Sequence, residues 1–416
     1  MARAGIIRDY LTLATGSVGR LVISLAYFLV AANVLSLADF GLFATASAAG
    51  IVLARIAAFG FISPLFRAAT VRRRLTGTYL AGFLAAFALS LPVVALLAAA
   101  LKPLIFAQMG WWPFALILAA EIIGWRLLEV VAIINNGQRA FGKATTLVLA
   151  GSAIRTLAAL AFWLTGHTSL IDWARTYLVA NLLSAAMAFA VFLPVMRLRF
   201  APALYLRQMR DAVSAAIADM IFYMQAELDK AVVLAMAGPR VAGIYAIAMR
   251  IIDLTAMPIR SFNQLATQKI MTARRVTMTF PQLALVELGI ALVSTGALSA
   301  AIALLWWNPL LLGRNIGAAA ALFPLLIAVP ALRNLVEYHA ELLYGIERSG
   351  TRAALLTAIA LMKGGLIWAA VSLTGRGAAS PDAVAWMAWL NAVFLALYLM
   401  SALVTYGVIR ATRQPA

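Results

Sequence analysis

Cysteine is absent from this 416-residue chain, histidine occurs twice, and only 12% of the residues are charged. The missing thiols exclude disulfides, thiolate metal sites and cysteine nucleophiles. His167 and His339 cannot assemble a zinc site by themselves. No Walker-type phosphate loop occurs, so any energy source must be an ion gradient or the gradient of a transported molecule. Polar stretches long enough to fold outside a membrane are also missing. What fills the chain instead is apolar: 64% hydrophobic residues and a mean hydropathy of +0.96. A water-soluble chain carries about twice the charge and far fewer apolar residues.

Against that apolar background stands a net charge of +18, from 33 Lys and Arg and 15 Asp and Glu. In a soluble protein this would point to nucleic acid; here its placement gives another meaning. A bilayer span needs about 20 apolar residues. Twelve such runs occur, at 11–33, 41–66, 75–101, 112–134, 144–165, 173–196, 212–236, 241–268, 282–305, 316–345, 353–373 and 383–409. Lipid offers no partner to exposed peptide groups, so runs of this length must be helices. With the N-terminus inside, nineteen of the 33 cations fall on cytoplasmic segments, among them Arg72, Arg73 and Arg74, and four fall outside. That asymmetry orients the chain with both termini cytoplasmic, and nine tryptophans, Trp111 and Trp306 among them, fall near the outer ends of the spans. The first span is expected to be a retained helix rather than a removed signal peptide. The charge therefore reads as a topology signal, and nucleic acid is not an expected partner.

The chain also repeats. Glu129, Gly137, Gly142 and Arg155 recur as Glu337, Gly345, Gly350 and Lys363, each offset by 208 positions. Gly41-Leu42-Phe43-Ala44 recurs as Gly243-Ile244-Tyr245-Ala246, offset by 202. Six spans per half is an even number, so the halves enter from the same side as parallel repeats, an architecture suited to alternating access. The expected organisation is an N-terminal lobe over 1–196, a basic linker over 197–211 and a C-terminal lobe over 212–416.

Charges inside a membrane are costly and should face the bundle interior or a wet cavity. Ten cations and nine acids lie within the spans. Spans 3 and 12 carry none; spans 6 and 9 carry one each, Arg175 and Glu287, near a surface. Every third helix is thus expected to be peripheral. Arg20, Arg55 and Arg155, without acids on their own helix turns, suit an anionic substrate such as a phosphate, which guanidinium grips through a bidentate fork; the alternative is pairing with acids of the other lobe. Lys363, the counterpart of Arg155, joins them as a candidate. Spacings of three or four favour the pairs Arg126 with Glu129, Arg250 with Asp253, and Arg333 with Glu337 on single helix faces. Asp219, Glu227, Asp229 and Asp253 are acids in excess, either a site for a coupling cation or partners for the arginines. His339 lies between Glu337 and Glu341, a candidate proton relay or a hydrogen-bonded interior histidine. Pro258, Pro324 and Pro330 should kink spans 8 and 10.

Twelve spans in two six-helix lobes, the run Leu35-Ser36-Leu37-Ala38-Asp39-Phe40-Gly41-Leu42-Phe43 after the first span, and Asp229-Lys230 followed by Gly243-Ile244-Tyr245 and Arg250-Ile251 resemble the polysaccharide-transporter, or O-antigen flippase, branch of the multidrug/oligosaccharidyl-lipid/polysaccharide (MOP) exporter superfamily. The resemblance implies an all-α, MATE-like integral membrane protein with a V-shaped pair of lobes in the bacterial inner membrane. It implies a flippase that moves an undecaprenyl-pyrophosphate-linked oligosaccharide across that membrane for O-antigen, capsule or exopolysaccharide assembly, with other polysaccharide-assembly membrane proteins as partners. No enzymatic role, metal or organic cofactor is expected; coupling to Na+ or H+ is. A cation-coupled multidrug exporter of the same fold is the alternative, and a membrane glycan polymerase or ligase a third.

Overall fold

In lipid the backbone must satisfy its own hydrogen bonds, and the chain does so with helices throughout. The computed structural model describes residue 19 and residues 22–273, 278–374 and 381–413, and among these no strand occurs. The helices are α1 (Val22–Val34), α2 (Leu37–Ile56), α3 (Ile62–Val71), α4 (Thr76–Ile105), α5 (111–137), α6 (Phe141–Leu164) and α7 (Leu170–Met187, running on through Phe192). A helical stretch Pro202–Ala273 follows, interrupted at Gly238, whose φ of 84° only glycine adopts freely. The interruption separates α8 (202–237) from α9 (239–273). Then come α10 (Phe280–Trp307), α11 (Arg314–Ala320), α12 (Val329–Gly345), α13 (Ser349–Thr374) and α14 (Leu390–Arg413).

Among the described residues eight helices are long and apolar enough to cross a membrane, and α11 with the helix after it, bent by 60° at a short break, makes a ninth. One of the eight holds both α8 and α9. With α5 and α1 added, the count reaches the twelve spans expected from hydropathy, and the chain is an all-α, multi-pass membrane protein. The least buried of the eight are α10 and α4, the ninth and third spans, as their scarcity of charge implies.

By packing the chain divides into two units, Met1–Tyr223 and Met224–Ala416, so the division falls within α8. The basic segment after α7 is non-helical only through residue 201; from Pro202 it is already α8. The Tyr205 hydroxyl lies 2.9 Å from the carbonyls of both Thr78 and Arg199, which straps that segment to the start of α4.

Local chemistry explains several boundaries. The run that carries the family resemblance begins with an N-cap: Ser36 Oγ accepts from the Asp39 amide at 3.1 Å, at the start of α2. The second span is not one helix, as its apolar run suggests. It breaks over Ala57–Gly60, where Ala58, Phe59 and Gly60 have φ of 60°, 47° and 74°. Non-glycine residues there are strained and need outside support. It comes from α4: the freed Ala58 amide donates to Ser90 Oγ at 2.8 Å, and that hydroxyl donates to the Phe87 carbonyl at 2.8 Å. Ser90 is fully buried. Ser90→Ala, by orphaning the Ala58 amide, should cost about 1–3 kcal/mol, read as a lowered unfolding midpoint in detergent; no shift would remove Ser90 as the support of the break.

Of the three prolines expected to kink, Pro324 and Pro330 both follow the bend after α11, each at the start of a helical segment, while the helix continues through Pro258. The fourth span, α5, carries a feature no proline announces: a π turn over Ala120–Trp125 between helical halves Trp111–Ala119 and Arg126–Gly137.

The repeat has a physical counterpart in each unit. A side chain at Gly137, the end of α5, would collide with Ala69 of α3; one at Gly345, the end of α12, would collide with Ile270 of α9. Both glycines thus bring the second and fourth spans of their half into close approach. A buried apolar cluster of Leu128, Val131 and Ala132 on α5 with Leu147 on α6 holds the first unit near this level. In the second, Ile259 and Ile270 of α9, Leu283 and Ile290 of α10, Leu335 and Leu342 of α12 and Ile409 of α14 do the same.

Candidate functional site

Arg20 lies outside the described residues. Arg55, at the end of α2, does not wait for an acid from the other half. Its Nη1 donates to Glu129 Oε1 on α5 at 2.8 Å, and Arg126 on the same helix donates to Glu129 Oε2 at 2.7 Å. The Arg55 guanidinium also lies 4.1 Å from the centre of the Tyr223 ring, close enough for cation–π attraction. Two cations share one carboxylate, and neither Arg55 Nε nor Arg126 Nε has a partner among the described residues. The expected Arg126–Glu129 pair therefore exists, enlarged to a triad. Asp219 of α8 lies within electrostatic reach of this triad, exposed, with no hydrogen bond or ion pair among the described residues.

Arg155, at the middle of α6, is placed differently. Its guanidinium lies 3.7 Å from the ring centre of Trp125 on α5 and 5.8 Å from that of Tyr27 on α1. Among the described residues no carboxylate lies within ion-pairing distance of it. It is half-buried. Stacking uses the face of the guanidinium and leaves its in-plane N–H donors for another partner.

The second unit shows what such a partner looks like. Lys363, the counterpart of Arg155 on α13, sits 3.2 Å from Asp229 Oδ2 on α8, both side chains almost fully buried. The Tyr245 hydroxyl donates to the same oxygen at 2.7 Å, and the Lys363 ammonium also donates to the Gln225 carbonyl. The candidate cation and the candidate coupling acid are thus brought together as one ion pair. The 202-residue offset that relates the glycine runs also places Tyr27 opposite Asp229 and Phe43 opposite Tyr245. In the first unit the carboxylate and the hydroxyl that serve the cation are replaced by rings, and Arg155 is left without an ion-pairing acid among the described residues. The same offsets applied to the whole half would have singled out Tyr27, and Trp125 opposite Arg333, from sequence.

The remaining acids are engaged within the second unit. Glu227 pairs with Lys230 one turn on. Asp253 of α9 binds Arg333 of α12 at 2.6 Å and lies 3.7 Å from Arg260; Arg260 grips Glu337 with two bonds of 2.9 and 2.7 Å. Sequence spacing suggested pairing of Arg333 with Glu337 along one helix; the hydrogen-bonded pairs instead cross from α9 to α12, because on adjoining helices the charges meet end to end. The Arg260–Glu337 bridge matches Arg55–Glu129 in the first unit, again joining second and fourth spans. Among the described residues no group of three or more histidine or acidic side chains is arranged to hold a metal ion.

His339 is fully buried and contacts neither neighbouring acid of its own helix. Its Nε2 is 2.7 Å from Glu287 Oε1 of α10 and its Nδ1 2.8 Å from Ser401 Oγ of α14. Glu287 is enclosed by His339, Tyr398 and Tyr406.

No protein-family model and no curated protein matches the sequence. Solved structures do. A multidrug resistance MATE family transporter of the MOP superfamily in its inward-facing conformation is similar over 95% of this chain and 96% of its own, at 17% identity and a TM-score of 0.71. The outward-facing conformation of a multidrug resistance MATE transporter of that superfamily matches over 97% of each chain, at 17% identity and a TM-score of 0.61. A crystal structure of MATE in complex with MaL6 matches over 99% of this chain and 97% of its own, at 17% identity and a TM-score of 0.57. The chain has the fold of the MATE transporters of the MOP superfamily.

Proposed function

We propose that this chain is an alternating-access transporter whose cargo carries an anionic phosphate-type head, and that it serves as a flippase for an undecaprenyl-pyrophosphate-linked oligosaccharide in surface-polysaccharide assembly. The observation that carries the proposal is Arg155. A buried or half-buried cation is normally matched by an internal acid, as Lys363 is by Asp229. Arg155 keeps its cationic fork, held by Trp125 and framed by Tyr27, with no such acid among the described residues. A pyrophosphate oxygen pair fits that fork bidentately. Arg55, its charge shared with Glu129, contributes to the positive field rather than to direct capture. Lys363 belongs to the structural pair with Asp229.

A knockout of the gene in its native host should lose surface polysaccharide. Arg155→Ala should restore less than about a tenth of it at unchanged protein level, since a charge-assisted hydrogen bond contributes about 1.5–3 kcal/mol. Full restoration by Arg155→Ala would refute the assignment. The MATE fold and the exposed Asp219 carboxylate favour a second proposal, a cation-coupled exporter of cationic drugs. It predicts raised drug resistance on overexpression, dependent on Asp219 and indifferent to Arg155.

A further inference from the structure

The cluster around His339 takes no part in that proposal and lies wholly within the second unit. It consists of five side chains from three helices: Glu287 of α10, His339 of α12, and Tyr398, Ser401 and Tyr406 of α14. The Tyr398 hydroxyl donates to Glu287 Oε2 at 2.8 Å, and that of Tyr406 donates to Oε1. The His339 ring lies 5.6 Å from each of the two tyrosine rings, stacked on Tyr398 and edge-on to Tyr406. A histidine with no solvent exposure must have both ring nitrogens satisfied, so hydrogen-bond accounting restricts the protons the cluster holds.

Glu287, as carboxylate, can only accept, so the His339 nitrogen facing it, Nε2, carries a proton. The other ring nitrogen faces Ser401, and here two arrangements satisfy every group. In one, Nδ1 is bare and accepts from the Ser401 hydroxyl. In the other, Nδ1 carries a proton and donates to Ser401 Oγ, while the Ser401 hydroxyl turns to the Tyr398 carbonyl, 2.9 Å away. The two differ by one proton and by a rotation of one hydroxyl. Without that proton the cluster has a net charge of −1, spread over a carboxylate that receives three donors. With it, imidazolium and carboxylate cancel. A hydroxyl with an acceptor in reach on either side is what lets a dry histidine gain and lose a proton without orphaning a buried group.

Among the described residues the surroundings supply no competing charge. Of the elements packed here, α12 presents the Tyr338 hydroxyl, which has no hydrogen-bond partner among those residues, and α9 presents Ile259 and Ile270. Glu337 and Glu341, the acids flanking His339 in sequence, are held by Arg260 and Arg352. From α10 and α14 the titratable groups that face the ring are Glu287, Tyr398 and Tyr406 themselves.

We infer that Glu287, His339, Tyr398, Ser401 and Tyr406 form a reversible proton-binding site that joins α10, α12 and α14, with His339 Nδ1 as the atom that takes up the proton. The site is independent of the anion proposal, because the two share no residue.

Two histidines in the whole chain make the test direct. His167, exposed in a loop, is changed to Gln, which leaves His339 as the single histidine signal of 15N-histidine-labelled protein in lipid nanodiscs. Ring-nitrogen spectra are then recorded from pH 5 to 9. The expected result is a single protonation step of His339, with Nδ1 as the unprotonated nitrogen on its alkaline side. Glu287→Gln, which removes the anion that favours imidazolium, should lower the midpoint by at least about one pH unit, a tenfold loss of proton affinity. Tyr406→Phe, which removes a donor from the carboxylate, should raise it. These opposite displacements keep the inference testable if one variant fails to fold. One unchanging protonation state across the range, Nε2 as the unprotonated nitrogen at high pH, or midpoints equal to that of the parent would each overturn it.

Discussion

Replacing Glu129 by alanine is expected to cost the protein about 3–5 kcal/mol of stability, the loss typical when one partner of a buried ion pair is removed. The cost arises from what remains. Arg126 has 1% and Arg55 7% of its side chain exposed, and both turn a guanidinium toward this one carboxylate. Without it two positive charges face each other with no carboxylate in hydrogen-bonding contact, since Asp219 is only within electrostatic reach. Glu129→Gln keeps the size and one accepting oxygen, so most of its loss would come from charge alone. Adding Arg126→Met should recover part of that loss by removing one of the stranded cations, a non-additivity expected of contacting residues. Unfolding midpoints of the three variants in detergent measure this. A Glu129→Gln protein as stable as its parent would show that the triad carries no net stabilisation.

If the proposed function holds, Tyr27→Asp abolishes transport while leaving the protein folded. The substitution copies into the first half the residue that occupies the matching position of the second, Asp229, and so offers Arg155 an internal anion, which it does not have among the described residues. Lys363 and Asp229 show that a pair at this level of the bundle is accommodated when nearly fully buried. An intramolecular carboxylate competes with cargo phosphate for the same guanidinium donors. If each such bond contributes about 1.5–3 kcal/mol, cargo capture falls by roughly 10–100-fold. Tyr27→Phe keeps the ring and should be close to neutral. Surface polysaccharide in the complemented host, normalised to protein level, is the measurement. Equal function of the Asp and Phe variants would show that Arg155 does not receive the anion.

These two experiments also mark how far the sequence carries. The twelve spans were legible because a lipid environment imposes a long, simple apolar code. The repeat was legible because Glu129 and Glu337, and Gly137 and Gly345, do the same work in both halves. The ion pairs were less so. Spacing along one helix found Arg126 with Glu129 but not Arg55 with Glu129, or Arg333 with Asp253, since which neighbouring helix a side chain meets depends on packing that periodicity does not encode. The partners of Glu287 were hidden for the same reason: three donors from two other helices surround it. The break after Ile56 left no proline or glycine pair to announce it, because Ser90, one helix away, supplies its support.

The π turn of α5 has a consequence at the level of the gene. A π turn holds one residue more than the helix around it, and a residue turns an α-helix by about 100°. Its second residue, Glu121, accepts from Ser47 and Tyr177; just beyond it Arg126 and Glu129 form their triad with Arg55. Deleting a single codon of 122–125 would remove the extra residue and let the helix close into regular α-geometry with its flanks still in phase, whereas a one-codon deletion in the regular parts of α5 would turn the segments on either side by about 100° relative to one another. Along this span, reading-frame-preserving deletions should therefore be tolerated best at the π turn and be more damaging than most single exchanges in the regular halves on either side of it.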